Sequence, residues 1–239
     1  MKKILFKSGS TMMGGLEKVQ IEYINFLVNE ENIDIRVIIE NDNGKENVLE
    51  KEIKTQIEYL NIIEQESLRL SDLALSVLNL IKIENQTVLT NVTKFNLSEQ
   101  LRNSILLFED KWENKKINLQ LDFDEFYIRA NEELLKQVWI NLLDNAIKYT
   151  PINETVSVSI KRKEHSTIVS IANTGSEISP YSQKHIFNKF YQADESHSTK
   201  GSGIGLAVVK KIVTLHRGEV SVISGNKKTI FAVTIPDIL

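Results

Sequence analysis

Apolar residues recur every third or fourth position through the stretch from about residue 54 to residue 84. Leu60, Ile63, Ser67, Leu70, Ala74, Val77 and Ile81 alternate spacings of three and four, with no Gly or Pro between them. That heptad seam predicts a long helix that packs in a dimeric bundle or coiled coil, or alternatively an ordinary amphipathic helix of a domain. Upstream, residues 4–6 form a short apolar run and SGSTMMGG a small-residue loop holding Gly14 and Gly15. Leu16, Val19, Tyr23, Ile24, Leu27 and Val28 then trace a helical stripe, and Ile33–Ile39 is rich in β-branched residues. Residues 1–53 thus read as one strand–helix–strand unit, too small to bury a core alone. Its tail, NDNGKEN, reads as a turn or linker.

From residue 87 to residue 239 strands and helices mix. Ser98 is placed to cap a helix running to about Trp112. Residues 117–123 and 126–129 look like strands around a DFDE turn, and a helix follows from Asn131. Val156, Val158 and Ile160 alternate with Ser and Lys, as in a half-buried strand, and residues 167–172 return as a second strand after His165 in the KEHS turn. Residues 219–223 and 229–235 pair across GNKK as a hairpin. These elements predict an α+β fold, one mainly antiparallel sheet with helices on one face. Three parts follow, 1–53, 54–86 and 87–239.

The composition, 41% hydrophobic and 26% charged, is that of a soluble globular protein. A net charge of −3 gives no reason to expect nucleic acid. With no cysteine, disulfides and thiolate metal sites are excluded. No run reaches the eighteen or so apolar residues a membrane helix needs, and the amino terminus is unlike a signal peptide. A cytoplasmic protein is expected.

Candidate chemistry concentrates in QVWINLLDNAIKY. Gln137, Asn141, Asn145 and Lys148 fall along one helical face, while Val138, Leu142, Leu143 and Ile147 occupy the other. Solvated faces usually take Glu and Lys. Amides can instead donate to a phosphate and offer a carbonyl oxygen to a hard cation. Further on come Asn173-Thr-Gly175-Ser-Glu177, then HIFNKFYQAD read as a Phe-rich helix, then Lys200-Gly201-Ser-Gly203-Ile-Gly205-Leu206 leading into a helix. Glycines before a helix let backbone amides and the helix dipole meet an anion. Neither GxxxxGK[ST] nor a strand just before the glycines is present, which disfavours a P-loop or a dinucleotide fold. The polar stretch from residue 191 to residue 200 reads as a lid.

The order of these motifs resembles the catalytic ATP-binding domain of sensor histidine kinases, in the gyrase/Hsp90-like ATPase superfamily. NLLDNAIKYT resembles that family's asparagine box and NTGSE its first glycine box. IFNKFYQAD resembles the phenylalanine box, and KGSGIGL the second glycine box. EYLNIIEQESLRLSDLALSVLNLIKIE is similar to the second helix of the dimerisation hairpin. The resemblance implies a two-layer α/β sandwich that binds ATP and Mg²⁺ and belongs to a protein-histidine kinase. Carried over by position, Asn145 offers its side-chain oxygen to Mg²⁺, and Asn141 lines the phosphate side. Lys148 and Tyr149 contact phosphates and nucleotide, while Asn173 reaches the adenine amino group above the turn at Gly175. Gly201, Gly203 and Gly205 wrap the phosphates, Leu206 joins them in binding the nucleotide, and Lys189 partners the terminal phosphate. The resemblance therefore gives catalytic roles to Asn145, Lys148 and Lys189.

Two positions depart from the family pattern: Asn173 stands where Asp is usual, and Glu177 where a second Gly is usual. ATP binding is expected to survive a local change in the turn. The family's phosphorylated histidine has no counterpart here. His165, His185, His197 and His216 are the four histidines, and none lies on the dimerisation-type helix. Autophosphorylation of the chain itself is not expected, and the acceptor histidine belongs on a partner kinase hairpin. MKKILFKSGSTMMGGLEKVQIEYINFL resembles the opening of bacterial glycosyltransferases with two Rossmann-like domains. The resemblances together suggest a fusion near residue 54. The alternatives are a non-catalytic ATP-binding regulator that dimerises through residues 57–84, and an anti-sigma type serine kinase, which the heptad helix disfavours.

Overall fold

The computed structural model describes residues 2–8, 33–39, 48–192 and 202–237, with side chains described in 56–192 and 202–237. The chain divides into two compact units, residues 1–67 and 68–239. In the first, β1 (Lys2–Ser8) pairs in parallel with β2 (Ile33–Ile39), Ile4 opposite Ile35. Both strands fall where the apolar runs placed them. The stretch expected to form the connecting helix, together with Gly14 and Gly15, lies outside the described residues.

The predicted long helix is α1 (Val48–Glu84). Its last turns bury Leu80 and Ile83 in the core of the second unit, with Val77 packed beside them. Leu60, Ile63, Leu70 and Ile81 of the seam are largely exposed. No helix among the described residues is long and apolar enough to cross a membrane.

The second unit then runs β3 (Val92–Asn96), α2 (Leu97–Leu106), α3 (Glu109–Asn114), β4 (Asn118–Asp122), β5 (Tyr127–Asn131) and α4 (Glu132–Tyr149). It continues with β6 (Thr155–Lys163), β7 (Ser166–Thr174), α5 (Pro180–His185), α6 (Gly205–Leu215), β8 (Glu219–Gly225) and β9 (Lys228–Pro236). Five strands form one sheet in the order β4-β6-β7-β9-β8, antiparallel except for the parallel β4–β6 pair. Alternation decides its two sides. Val156, Val158, Ile160, Val169, Ile171, Phe231, Val233 and Ile235 are buried, and the residues between them mostly are not. Helices α4 and α6 pack on the sheet, and α2 packs on α4. The architecture is the expected two-layer α/β sandwich.

Four local readings are corrected. The cap of α2 is Asn96, whose Oδ1 accepts from Glu99 N–H at 3.1 Å. Ser98 is instead buried, donating to Asp124 O at 2.6 Å and accepting from Phe126 N–H at 2.9 Å, so it staples the loop before β5. The helix stops at Leu106 because Phe108 leaves helical geometry (φ −112°, ψ 17°) and is buried in the core. Strands β4 and β5 do not pair across DFDE: β4 joins β6 in the main sheet, and β5 joins β3 in a separate two-stranded sheet. The Phe-rich segment is not a helix beyond His185; residues 186–190 turn, and Phe190 has φ +62°.

Two polar relays hold α4. Trp139 is fully buried, so its indole N–H needs a partner; it donates to Gln100 Oε1 at 2.8 Å, and Gln100 in turn donates to Glu132 O at 2.8 Å. At the start of α4, Asn131 caps with Oδ1 on Leu134 N–H at 2.9 Å and donates from Nδ2 to Thr90 O at 2.8 Å. Its own N–H donates to Nε2 of the fully buried His216 at 3.2 Å, and His216 Nδ1 faces Ile212 O at 2.8 Å. This arrangement needs the neutral ring protonated on Nδ1. Burial lowers the His216 pKa below its ordinary 6.5, opposed by the Ile212 carbonyl.

The unfolded chain therefore binds a proton below about pH 6.5 that the native state does not. Stability present above that pH falls as the pH drops, until the lowered native pKa is reached. The thermal midpoint is expected to decline between pH 7 and pH 5. In His216→Gln, whose amide can serve both partners without titrating, that part of the decline should vanish; a variant with an unaltered slope would refute the assignment. The Glu125 carboxylate acts at lower pH. Hydrogen bonds from Asn96 and then Arg102 lower its pKa from 4.5, and its contribution is lost only as the pH falls below that range.

Candidate functional site

Helix α4 buries Val138, Leu142, Leu143 and Ile147 and keeps Gln137, Asn141, Asn145 and Lys148 half-exposed along the other face, as the spacing predicts. Asn141 Nδ2 donates back to Gln137 O at 2.8 Å, which leaves its Oδ1 free to face α6. A Cβ on Gly205, the first residue of α6, would sit 2.5 Å from that oxygen. A side chain at this position would displace the Asn141 amide, so glycine keeps that amide at the start of α6. Ile204 N–H meets Ser202 Oγ at 3.4 Å, and no side chain among the described residues caps the first-turn N–H groups of α6 that follow, which suits them to an anion. One helical turn along from Asn141, the Asn145 amide has no hydrogen-bond partner among the described residues.

Gly203 has φ +67°, and a Cβ there would lie 2.7 Å from the Phe190 carbonyl carbon. Phe190 N–H donates to Gly203 O at 2.9 Å, so the phenylalanine-rich turn is bound to the glycine loop. Phe187 anchors that turn, its ring edge-on to Phe231 with centroids 6.3 Å apart. Leu206 packs against the core. Gly201, His197 and most of the lid stretch lie outside the described residues.

The Asn-x-Gly turn closes the other end. Asn173 sits near the end of β7 between Val156 and Thr229 and is only 4% exposed. Gly175 has φ +103°, and a Cβ on it would fall 2.4 Å from Pro151 Cδ, just past the end of α4. Ser176 donates to Tyr149 O at 2.7 Å. Glu177 takes up a role no glycine could fill: its carboxylate accepts from Lys227 N–H in the β8–β9 turn, while Gly175 N–H donates to Lys227 O at 2.8 Å. Glu177 thereby holds the turn to the hairpin.

Sequence reasoning missed the residue that terminates α4. Lys115 donates to Ile147 O, Lys148 O and Thr150 O at 2.9, 2.8 and 3.0 Å. With Thr150 on Ala146 O and Ser176 on Tyr149 O, the carbonyls from 146 to 150 are all bonded. An ammonium there also suits the negative end of the helix dipole. Nothing local marks it, since the NKKI of residues 114–117 reads as a solvated turn.

Lys148 Nζ lies 4.9 Å from the Tyr149 ring centroid. Lys189 instead forms an ion pair with Glu84 at the end of α1, at 2.9 Å and half-exposed. Such a pair is worth under about 1 kcal/mol and gives way readily to a stronger anion. Among the described residues no three His, Cys, Asp or Glu side chains cluster as a ligand set. A cation at this face would thus rely on an amide oxygen, on waters and on the anion it accompanies. The half-buried, unpartnered Asn145 amide fits Mg²⁺ held in that way.

The sequence pattern of the Histidine kinase-, DNA gyrase B-, and HSP90-like ATPase family matches residues 130–238. The chain is 32% identical to the sensor histidine kinase CusS of Escherichia coli K12 over 174 residues, 72% of this chain and 36% of CusS. It is likewise 32% identical to the heme sensor protein HssS of Staphylococcus haemolyticus over 176 residues, 73% of this chain and 38% of that protein. The solved catalytic domain of histidine kinase ThkA is 30% identical, with a TM-score of 0.56 over 62% of this chain and 99% of the domain. The chain thus spans 36–38% of the length of these curated relatives.

Proposed function

We propose, from the match of residues 130–238 to the histidine kinase-, DNA gyrase B- and HSP90-like ATPase family, that the chain is the Mg·ATP-binding catalytic module of a two-component sensor histidine kinase. The observation that carries this reading is the close approach of both glycine motifs to the amide helix and its end: Gly205 against Asn141 and, just past the helix, Gly175 against Pro151. The start of α6 would then hold the phosphates, and Asn145 would hold the magnesium. Mg²⁺ supplies charge neutralisation of the transferred phosphoryl group, a reaction that depends on positioning more than on covalent help. Asn141 and the backbone of Gly203 and Gly205 hold the phosphates, Lys148 and Tyr149 border them, and Asn173 with Gly175 holds the base. Lys189 reaches the terminal phosphate once it leaves Glu84. Gly201 keeps the role its motif implies.

The acceptor is a histidine on a kinase dimerisation hairpin, and a response regulator is the downstream partner, all in the cytoplasm. Incubation with γ-labelled ATP and an added histidine-bearing hairpin should place acid-labile label on the hairpin and none on this chain. Nucleotide bound without any transfer would favour a second reading, a non-catalytic regulator. The exposed Leu60, Ile63, Leu70 and Ile81 support that alternative, since they suit pairing with another kinase helix or with a second copy. The glycosyltransferase likeness of residues 1–53 lies outside the family match, which begins at residue 130.

A further inference from the structure

Asn173 carries an unusual combination for a buried polar residue. It is 4% exposed, yet its side-chain amide bonds to nothing among the described residues. It shares a face of β7 with Val169 and Ile171, the face that α4 covers. Its amide atoms are not sealed in, since the wholly enclosed and unpartnered side-chain atoms among the described residues are Trp112 Nε1 and Thr167 Oγ1. The end of the side chain therefore opens onto accessible space. Neighbouring hydroxyls do not hold it: Thr174 donates to Glu154 Oε2 at 2.6 Å, and Thr229 donates to Ser176 O at 3.0 Å. A buried amide left without partners is costly, and a native chain keeps one where a ligand or water will serve it.

Resting on the nucleotide-site reading above, we infer that Asn173 reads the purine base and makes the site accept 6-oxopurine as well as adenine nucleotides. A carboxylate at this position can only accept hydrogen bonds, so it favours the 6-amino group of adenine and repels a 6-oxo group. An amide presents one acceptor and two donors side by side. In one orientation Oδ1 accepts from the adenine 6-amino group while Nδ2 donates to N1. Turned by half a rotation, Nδ2 donates to a 6-oxo oxygen while Oδ1 accepts from N1–H. Because no described protein group fixes the amide, neither orientation forfeits a protein hydrogen bond. The residue is thus a specificity determinant, and the nucleotides it admits are those that present either a 6-amino or a 6-oxo group on this edge of the purine.

Inosine triphosphate is the probe, since it differs from ATP on this edge alone, at the 6-substituent and in the proton at N1. Titration calorimetry with magnesium should give affinities for ATP and inosine triphosphate within about tenfold of each other, the difference of roughly one hydrogen bond. Asn173→Asp should widen the preference for ATP by at least about tenfold, chiefly by losing inosine triphosphate. Binding of ATP with inosine triphosphate excluded in the unsubstituted chain would overturn the inference, whether or not the variant folds. An unchanged ratio in a folded Asn173→Asp would do the same. If neither nucleotide binds the unsubstituted chain, the nucleotide site itself falls and this inference with it.

Discussion

Asn145→Ala is expected to cost at least about a hundredfold in magnesium-dependent nucleotide affinity, roughly 2.7 kcal/mol. The side chain lies in the middle of the polar face of α4 and makes no hydrogen bond to any described residue. Its removal therefore orphans nothing in the protein, and the folded state should keep its stability to within about 0.5 kcal/mol. Under the proposed function, what is lost is the amide oxygen that Asn145 would offer to magnesium. The effect should accordingly be conditional on the metal. In EDTA the variant and the parent chain should bind nucleotide equally weakly; with millimolar magnesium only the parent should gain. Calorimetry that finds the same magnesium-dependent gain in both would remove Asn145 from the site.

Gly175→Ala should have the largest effect on the fold. Its φ of +103° is a region that residues with a Cβ rarely enter, and the added carbon would fall 2.4 Å from Pro151 Cδ. Strain and clash together should cost about 2–4 kcal/mol, lowering the thermal midpoint by roughly 5–15 °C for a unit of this size. Nucleotide binding should weaken as well, because the turn holds Asn173 on one side and bonds to Tyr149 through Ser176 on the other. Adding Pro151→Ala should recover the part due to the clash and leave the part due to backbone strain. A single variant melting within 1 °C of the parent chain, or no recovery in the double variant, would show that the Gly175–Pro151 contact does not organise this end of the site.

Much of the site was legible because its chemistry lies in local patterns. The four polar residues of α4 and its apolar face follow from a period of 3.6, so one helix assignment settles both. Glycines 203 and 205 before a helix carry their own signal, and so does the hairpin at residues 226–227, where both φ values are positive. The errors have a common cause. Ser98 and Asn96 are equally plausible caps by type, and what separates them is the loop before β5, 26 residues away from Ser98 in sequence. The DFDE strands look alike locally, yet pairing sends them to different sheets. Phe190 turns because Gly203 O meets its N–H, a contact that depends on how the loop returns.

By itself, the sequence determined that this chain carries a half-buried antiparallel sheet, an amide-faced helix and two glycine turns in an order that the histidine kinase ATPase family shares. Periodicity and residue type are local properties, and they survive without knowledge of any partner. Only the tertiary structure decided that Lys115 closes the end of α4, that Glu177 holds the hairpin turn, that Lys189 rests on Glu84, and that Asn173 is buried with its amide uncommitted. Each of those facts depends on which distant group supplies or withholds a hydrogen bond. Hydrogen bonds act over about 3 Å, so they are set by the packing of the sheet and helices and leave no periodic trace along the chain.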